Sequence, residues 1–153
     1  MKNLVVRTIT GVLFVAAVVV SFLDPVAMTA LFALVTGLTV WEFTGLVNER
    51  NGVSVNRFIT TVAATYFYFA MAGFSSGITP PTAFIPYVLT IVYLMVAELY
   101  AKHEDPINCW AYTMLAQLYI ALPLSLLNVL AFRMTEGGMS FTSVLPLSVF
   151  VFL

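Results

Sequence analysis

The sequence predicts an all-α fold: a polytopic transmembrane bundle of about six helices, the sixth truncated, with the N-terminus in the cytoplasm. Three observations lead there. Of 153 residues only six are Lys or Arg and seven Asp or Glu, while 61 % are apolar and 14 % aromatic. Soluble domains carry about 25 % charged residues; with 8 % charged, the chain cannot clothe a water-facing surface, so its solvent is lipid. Next, apolar runs such as Val12-Leu-Phe-Val-Ala-Ala-Val-Val-Val20 lack the alternation of membrane-barrel strands. Finally, Lys2, Arg7, Arg50, Arg57 and Lys102 fall on one side of the resulting topology and only Arg133 on the other, which places the first group inside.

The first helix occupies the uncharged stretch Thr8 to Leu23. Lys2 and Arg7 before it imitate a cleaved leader, but no small-x-small site follows Leu23 and another span begins at once. The second runs Pro25 to Val47, with Asp24 as N-cap and Pro25 in the first turn. Thr29, Ala33 and Gly37 form a small-residue stripe on it that admits a close neighbour. Asn48-Glu49-Arg50-Asn51-Gly52 supplies turn chemistry. Phe58 to Ala97 is uncharged and too long for a single crossing of about 20 residues; Gly73, Ser75, Ser76, Gly77, Pro80 and Pro81 divide it. That gives a third helix near Phe58 to Phe74 and a fourth near Ala83 to Tyr100, with Pro86 close to its start. Gly73 and Gly77 form a weak GxxxG packing pattern, and Tyr66-Phe67-Tyr68-Phe69 is lipid-facing or interhelical filler. A fifth helix covers Ile107 to Phe132, with Pro123 expected to kink it. Arg133, Glu136, Gly137 and Gly138 then form a loop. A sixth helix from Met139 to Leu153 spans roughly 22 Å at 1.5 Å per residue, short of a hydrocarbon core of about 30 Å.

Chemistry-bearing residues are few. His103, Glu104 and Asp105 offer metal-type ligands, but three consecutive loop residues converge poorly on one ion, and they read as a solvated loop. Glu98 and Lys102 have the i, i+4 spacing of an ion pair at headgroup level. Glu42 is an acid near a membrane helix end, where it needs water or a partner such as Arg50 or Arg57; Trp41 beside it fits the interfacial aromatic belt. The single Cys109 cannot form an intrachain disulfide and reads as an apolar filler. A net charge of −1 excludes the basic footprint of a nucleic-acid binder. There is no phosphate-cradling glycine loop, nucleophile elbow or HExxH. From the residues alone, an enzyme portion and a transporter or membrane-assembly subunit both stand; the latter calls for a polar stripe through the bundle, and Thr36, Thr60, Thr61, Thr65 and Ser125 are mild and scattered.

Three segments carry a resemblance: Asn3-Leu-Val-Val-Arg7-Thr-Ile-Thr-Gly11 before the first apolar run, Val40-Trp41-Glu42-Phe43-Thr44-Gly45-Leu46 closing the second helix, and Leu118-Tyr-Ile-Ala-Leu-Pro-Leu-Ser-Leu-Leu leading to Arg133. In these the chain resembles the N-terminal part of bacterial phosphatidate cytidylyltransferases, the CDP-diacylglycerol synthases. The resemblance covers residues 1–153 and implies a longer inner-membrane enzyme that joins CTP to phosphatidic acid, a possible homodimer, using Mg²⁺. The family's metal- and CTP-binding motifs would follow Leu153, so no catalytic, cofactor-binding or metal-ligating residue is carried over, and this portion alone is expected to be inactive. Arg7, Arg50 and Arg57, sharing one side, are expected to attract the anionic lipid headgroup. CTP-using polyprenol and dolichol kinases stand beside the synthases as an alternative within the resemblance, since their distinguishing motifs also lie downstream.

Overall fold

The computed structural model describes residues 2–50, 52–101, 105–135, 138–142, 146 and 148. Helix α1 spans Lys2–Ser21, α2 Pro25–Val47 and α3 Arg57–Ser75; a 3-10 turn, Pro81–Phe84, leads into α4, Ile85–Tyr100. The fifth span runs as α5 (Pro106–Leu115), widens to a π-helix over Ala116–Ala121 and continues as α6 (Leu122–Ala131). Strands β1 (Phe132–Thr135) and β2 (Gly138–Phe141) pair antiparallel. Four stretches are long and apolar enough to cross a membrane: Pro25–Val47, Arg57–Ser75, Pro81–Tyr100 and Pro106–Ala131; Val5–Ser21 is a shorter apolar helix.

Side chains define the helix ends, as they must where water is scarce and the first N–H groups lack partners. Asp24 Oδ2 accepts the Ala27 N–H (2.8 Å), Asn56 Oδ1 that of Ile59 (3.0 Å) and Asp105 Oδ1 that of Asn108 (3.1 Å). At the far end of α3 the chain turns through Gly77, whose φ of 73° is left-handed. The Ile78 N–H returns to the Gly73 carbonyl (2.9 Å) and the Gly77 N–H to that of Phe74 (3.1 Å), the pattern of a Schellman stop. Gly77 therefore lies beyond the helix, and Gly73 and Gly77 do not form a helix-packing motif.

Helix α3 is the hub, packing against α2, α4 and the π–α6 half of the fifth span. The small-residue stripe of α2 meets it directly: a Cβ on Gly37 would stand 3.1 Å from Thr65 Oγ1. One apolar cluster joins Val18, Phe22, Met28, Phe32, Tyr68 and Leu127; a second joins Val40, Ala64, Phe67, Ala116 and Ala121. Helix α1 buries Val18 and Ser21 near its C-terminal end, and Val5, Ile9, Val12 and Leu13 remain exposed.

The irregularity expected at Pro123 is a widened turn just before it. The Leu122 N–H reaches back five residues to the Gln117 carbonyl. Proline has no N–H, and its ring crowds the carbonyl four residues back, so the ladder must be adjusted at this turn.

The predicted sixth helix does not begin at Met139. Met139 to Phe141 belong to β2, with Phe132 opposite Phe141 and Met134 opposite Met139, and the facing rings of Phe132 and Phe141 lie 5.5 Å apart against the first cluster. Arg133 sits exposed in β1, and the helix before it ends at Ala131. The physical reason is a period of two: Phe132-Arg-Met-Thr135 and Gly138-Met-Ser-Phe141 alternate, which suits a hairpin better than a helix. Pro146 and Ser148 are helical; the other residues beyond Thr142 assigned to the sixth helix lie outside the described residues, as do Lys102, His103 and Glu104.

Candidate functional site

The polar side chains of the bundle gather where α2 ends and α3 and α5 begin. The connecting loop is folded on Asn48, whose Nδ2 donates to the Val55 carbonyl (2.8 Å) while its Oδ1 accepts the Val55 N–H (2.7 Å). Two contacts tie the loop to α5: the Ser54 N–H points at Cys109 Sγ (3.2 Å), and Arg50 Nη1 donates to the Tyr112 hydroxyl (2.6 Å) with its guanidinium 5.5 Å from that ring. Cys109 is fully buried, in keeping with a filler.

Arg57, the first residue of α3, lies back across α2. Its Nη2 donates to the Trp41 carbonyl (2.9 Å), and its Cζ stands 4.3 Å from the centre of the Trp41 ring. Gly45 makes room: a Cβ there would lie 2.7 Å from Nη2. The Nε of Arg57 is buried without a hydrogen-bond partner. Glu42 is exposed, and among the described residues Arg50 and Arg57 turn to Tyr112 and Trp41 instead of to Glu42.

From Trp41 an open groove of about 750 Å³ runs between α2 and α3, floored by Ala33, Gly37, Thr61 and Thr65. Its rim faces outward, Leu38 being 57 % and Phe58 68 % exposed. Thr65 donates to the Thr61 carbonyl (2.9 Å), whereas the Thr61 hydroxyl is buried with no partner.

Glu98, two residues before the end of α4, is only 6 % exposed, a buried acid. A cavity of about 250 Å³, lined by Ser54, Asn56 and Tyr93, lies on one side of it, and another of about 290 Å³, lined by Met95, Pro106 and Trp110, on the other. Its expected partner Lys102 lies outside the described residues. Asp105 is occupied as the α5 cap, also accepting from Asn108 Nδ2 (2.5 Å). Among the described residues no three His, Cys, Asp or Glu side chains come together around a point where a metal ion could sit.

Deeper in the bundle, buried Gln117, in the π turn, donates to the Thr60 carbonyl of α3 (2.9 Å) and accepts from the Tyr87 hydroxyl of α4 (3.4 Å). Asn128 accepts from Tyr68 (3.4 Å) and donates to the Ser125 carbonyl (3.2 Å). The hydroxyls of Thr36 and Ser125 turn back onto their own helices, to the carbonyls of Phe32 (2.7 Å) and Ala121 (2.6 Å). Sequence reasoning passed over Gln117 and Asn128, although two amides inside an apolar span are themselves a signal of buried polar contacts. It also missed the Arg57–Trp41–Gly45 unit, which closes across 16 positions and has no local signature. Compared with known proteins, the chain matches no family model, no curated protein and no solved structure.

Proposed function

We propose that the chain is the N-terminal, membrane-embedded part of a phosphatidate cytidylyltransferase, set in the bacterial inner membrane with the Arg50 and Arg57 end in the cytoplasm. The observation that supports this reading best is the way Trp41-Glu42-Phe43-Thr44-Gly45 closes α2. The ring and carbonyl of Trp41 hold Arg57, Gly45 clears its path, Phe43 packs on the core and Glu42 is left exposed beside them. Of the three segments that carry the resemblance, the one closing α2 thus holds a guanidinium at the end of an apolar helix, where a membrane enzyme would meet a charged headgroup.

In the proposed reaction a phosphate oxygen of phosphatidic acid attacks the α-phosphorus of CTP. A new P–O bond forms as the α–β phosphoanhydride breaks, and pyrophosphate departs, leaving CDP-diacylglycerol in the bilayer. Mg²⁺ would neutralise the phosphate oxygens and align the in-line displacement. The described carboxylates do not fit that role: Asp24 and Asp105 cap helices, and among the described residues no three His, Cys, Asp or Glu side chains come together. The reading therefore gives this portion the lipid-side wall of the enzyme and assigns the metal and nucleotide chemistry to residues beyond Leu153. A transporter reading draws less support, because Thr36, Thr65 and Ser125 spend their hydroxyls on their own helices and leave Thr60 and Thr61 as two neighbours on α3 instead of a stripe.

The test compares the full gene product with residues 1–153 in membranes of a host whose own synthase is shut off, following labelled CTP into extractable lipid. The full-length protein is expected to give Mg²⁺-dependent CDP-diacylglycerol and the 153-residue portion none. Absence of product from the full-length protein overturns the reading, and product from residues 1–153 overturns its division of labour.

A further inference from the structure

The groove between α2 and α3 has a composition that a packing defect between two helices would not require. It is apolar along its length, it is open on its outer side, and Trp41 at one end carries the Arg57 guanidinium on its ring. From Ala30 to Trp41 it follows α2 for about 16 Å at 1.5 Å per residue. Small residues keep it open, since Ala30, Ala33 and Gly37 on α2 leave the space that larger side chains would fill. Thr61 and Thr65 are the hydroxyl side chains in its lining, and beyond Trp41 the Arg57 Nη2 bond to the Trp41 carbonyl lies at the surface.

We infer that this groove binds one anionic glycerophospholipid of the bilayer, with an acyl chain lying along Ala33 and Gly37 and the phosphate against the Arg57 guanidinium. Arg57 offers five N–H donors, of which the Trp41 carbonyl takes one, and a guanidinium matches the geometry of phosphate oxygens. The stack on Trp41, itself part of the groove wall, holds it next to that end. Arg50, on the same side of the bundle, is held by Tyr112 near the start of the fifth span and is not part of this site. The inference depends on the chain being membrane-embedded and not on the nucleotidyl-transfer reading, so either can fail alone.

Trp41 is a built-in reporter, because the chain has only two tryptophans and the other, Trp110, has an indole N–H with no hydrogen-bond partner to lose. The 153-residue chain carrying Trp110→Phe is reconstituted in phosphatidylcholine vesicles. Bromine-labelled phosphatidylglycerol or bromine-labelled phosphatidylcholine is then titrated in, and quenching of Trp41 gives their relative affinity. The anionic lipid is expected to be preferred about fivefold, the size of one basic side chain acting on an anionic lipid. Arg57→Gln should bring the preference to parity, Arg57→Lys should keep part of it, and Arg50→Gln should leave it unchanged. Ala30→Phe, placed at an exposed position of the groove, should block the acyl chain and lower quenching by the anionic lipid; it carries the test should Arg57→Gln lose its helical circular dichroism. Equal affinity for the two lipids in the parent protein overturns the site, as does a preference that survives both Arg57→Gln and Ala30→Phe. Shielding of Trp41 from both lipids, as a second copy seated in the groove would produce, also overturns it.

Discussion

Replacing Gly73 by Ala tests whether the end of α3 is held by the close approach of Thr79. An added Cβ would stand 2.7 Å from Thr79 Oγ1, 2.9 Å from Cγ2 and 3.4 Å from Cβ. Thr79 is β-branched and stiff about χ1, and its own N–H is bonded to the Gly73 carbonyl (3.1 Å), so moving it disturbs the Schellman turn. Overpacking of this sort costs about 1–3 kcal/mol, while Ala gains about 1 kcal/mol over Gly in a helix. Gly73→Ala should therefore destabilise the protein by about 1 kcal/mol, the difference between these two effects. Thr79→Ala removes both close atoms, and because Thr79 Oγ1 has no hydrogen-bond partner it sacrifices no bond. In that background only the ordinary 3.4 Å contact remains, and Gly73→Ala should stabilise by the full helix gain of about 1 kcal/mol. The four proteins would be unfolded with sodium dodecyl sulfate in mixed micelles and followed by far-ultraviolet circular dichroism. The reasoning fails if Gly73→Ala has the same effect with Thr or Ala at position 79.

Gly45→Ala presents the same 2.7 Å encounter but should change stability little, because the obstacle is the end of a flexible arginine. Losing the Trp41 stack, worth about 0.5–1 kcal/mol, is offset by the helix gain, and the same unfolding assay reads the balance. Gln117→Leu removes the link from the π turn to α3 and α4 and should cost about 0.6–1.7 kcal/mol, the range of interhelical hydrogen bonds in membranes; a stabilised variant would contradict it. Asn48→Ala leaves the N–H and carbonyl of Val55, itself 3 % exposed, without their side-chain partners and should cost about 2 kcal/mol, with protease cleavage of the 48–56 loop as a second readout. Cys109, fully buried, should react with a maleimide only after denaturation, and rapid labelling of the folded protein would place the 54–109 contact in error.

Helix boundaries were legible wherever local chemistry sets them. Asp24 before Pro25 predicts the start of α2 because a carboxylate can take a free N–H while proline has none to satisfy, and the structure places the cap there. Asn48 to Gly52 marked the end of that helix for an equally local reason. Hydrophobicity misled where two periods compete over a short run. Arg133 to Gly138 reads as a loop and the apolar run from Met139 as another helix, but the alternation of Phe132–Thr135 and Gly138–Phe141 belongs to strands. The GxxxG at Gly73 failed because spacing says nothing of backbone hand, and Gly77 sits at a positive φ outside the helix. The candidate groove was half legible. The stripe through Ala33 and Gly37 announced a close neighbour on α2, but the identity of that neighbour and the return of Arg57 to Trp41 depend on how two helices pair, which no local pattern encodes.

The widened turn at Ala116–Ala121 also works as a rotational offset. Each residue of an α-helix advances about 100° around the axis, so a turn closed by five-residue hydrogen bonds sets everything after it roughly one such step away from an unbroken helix. Asn128 meets Tyr68 on that shifted phase. Deleting a single residue between Ala116 and Ala121 would leave every downstream side chain chemically unchanged, yet swing this polar edge of α6 away from α3 and toward lipid. The fifth span thus carries its alignment in residue count as much as in residue type.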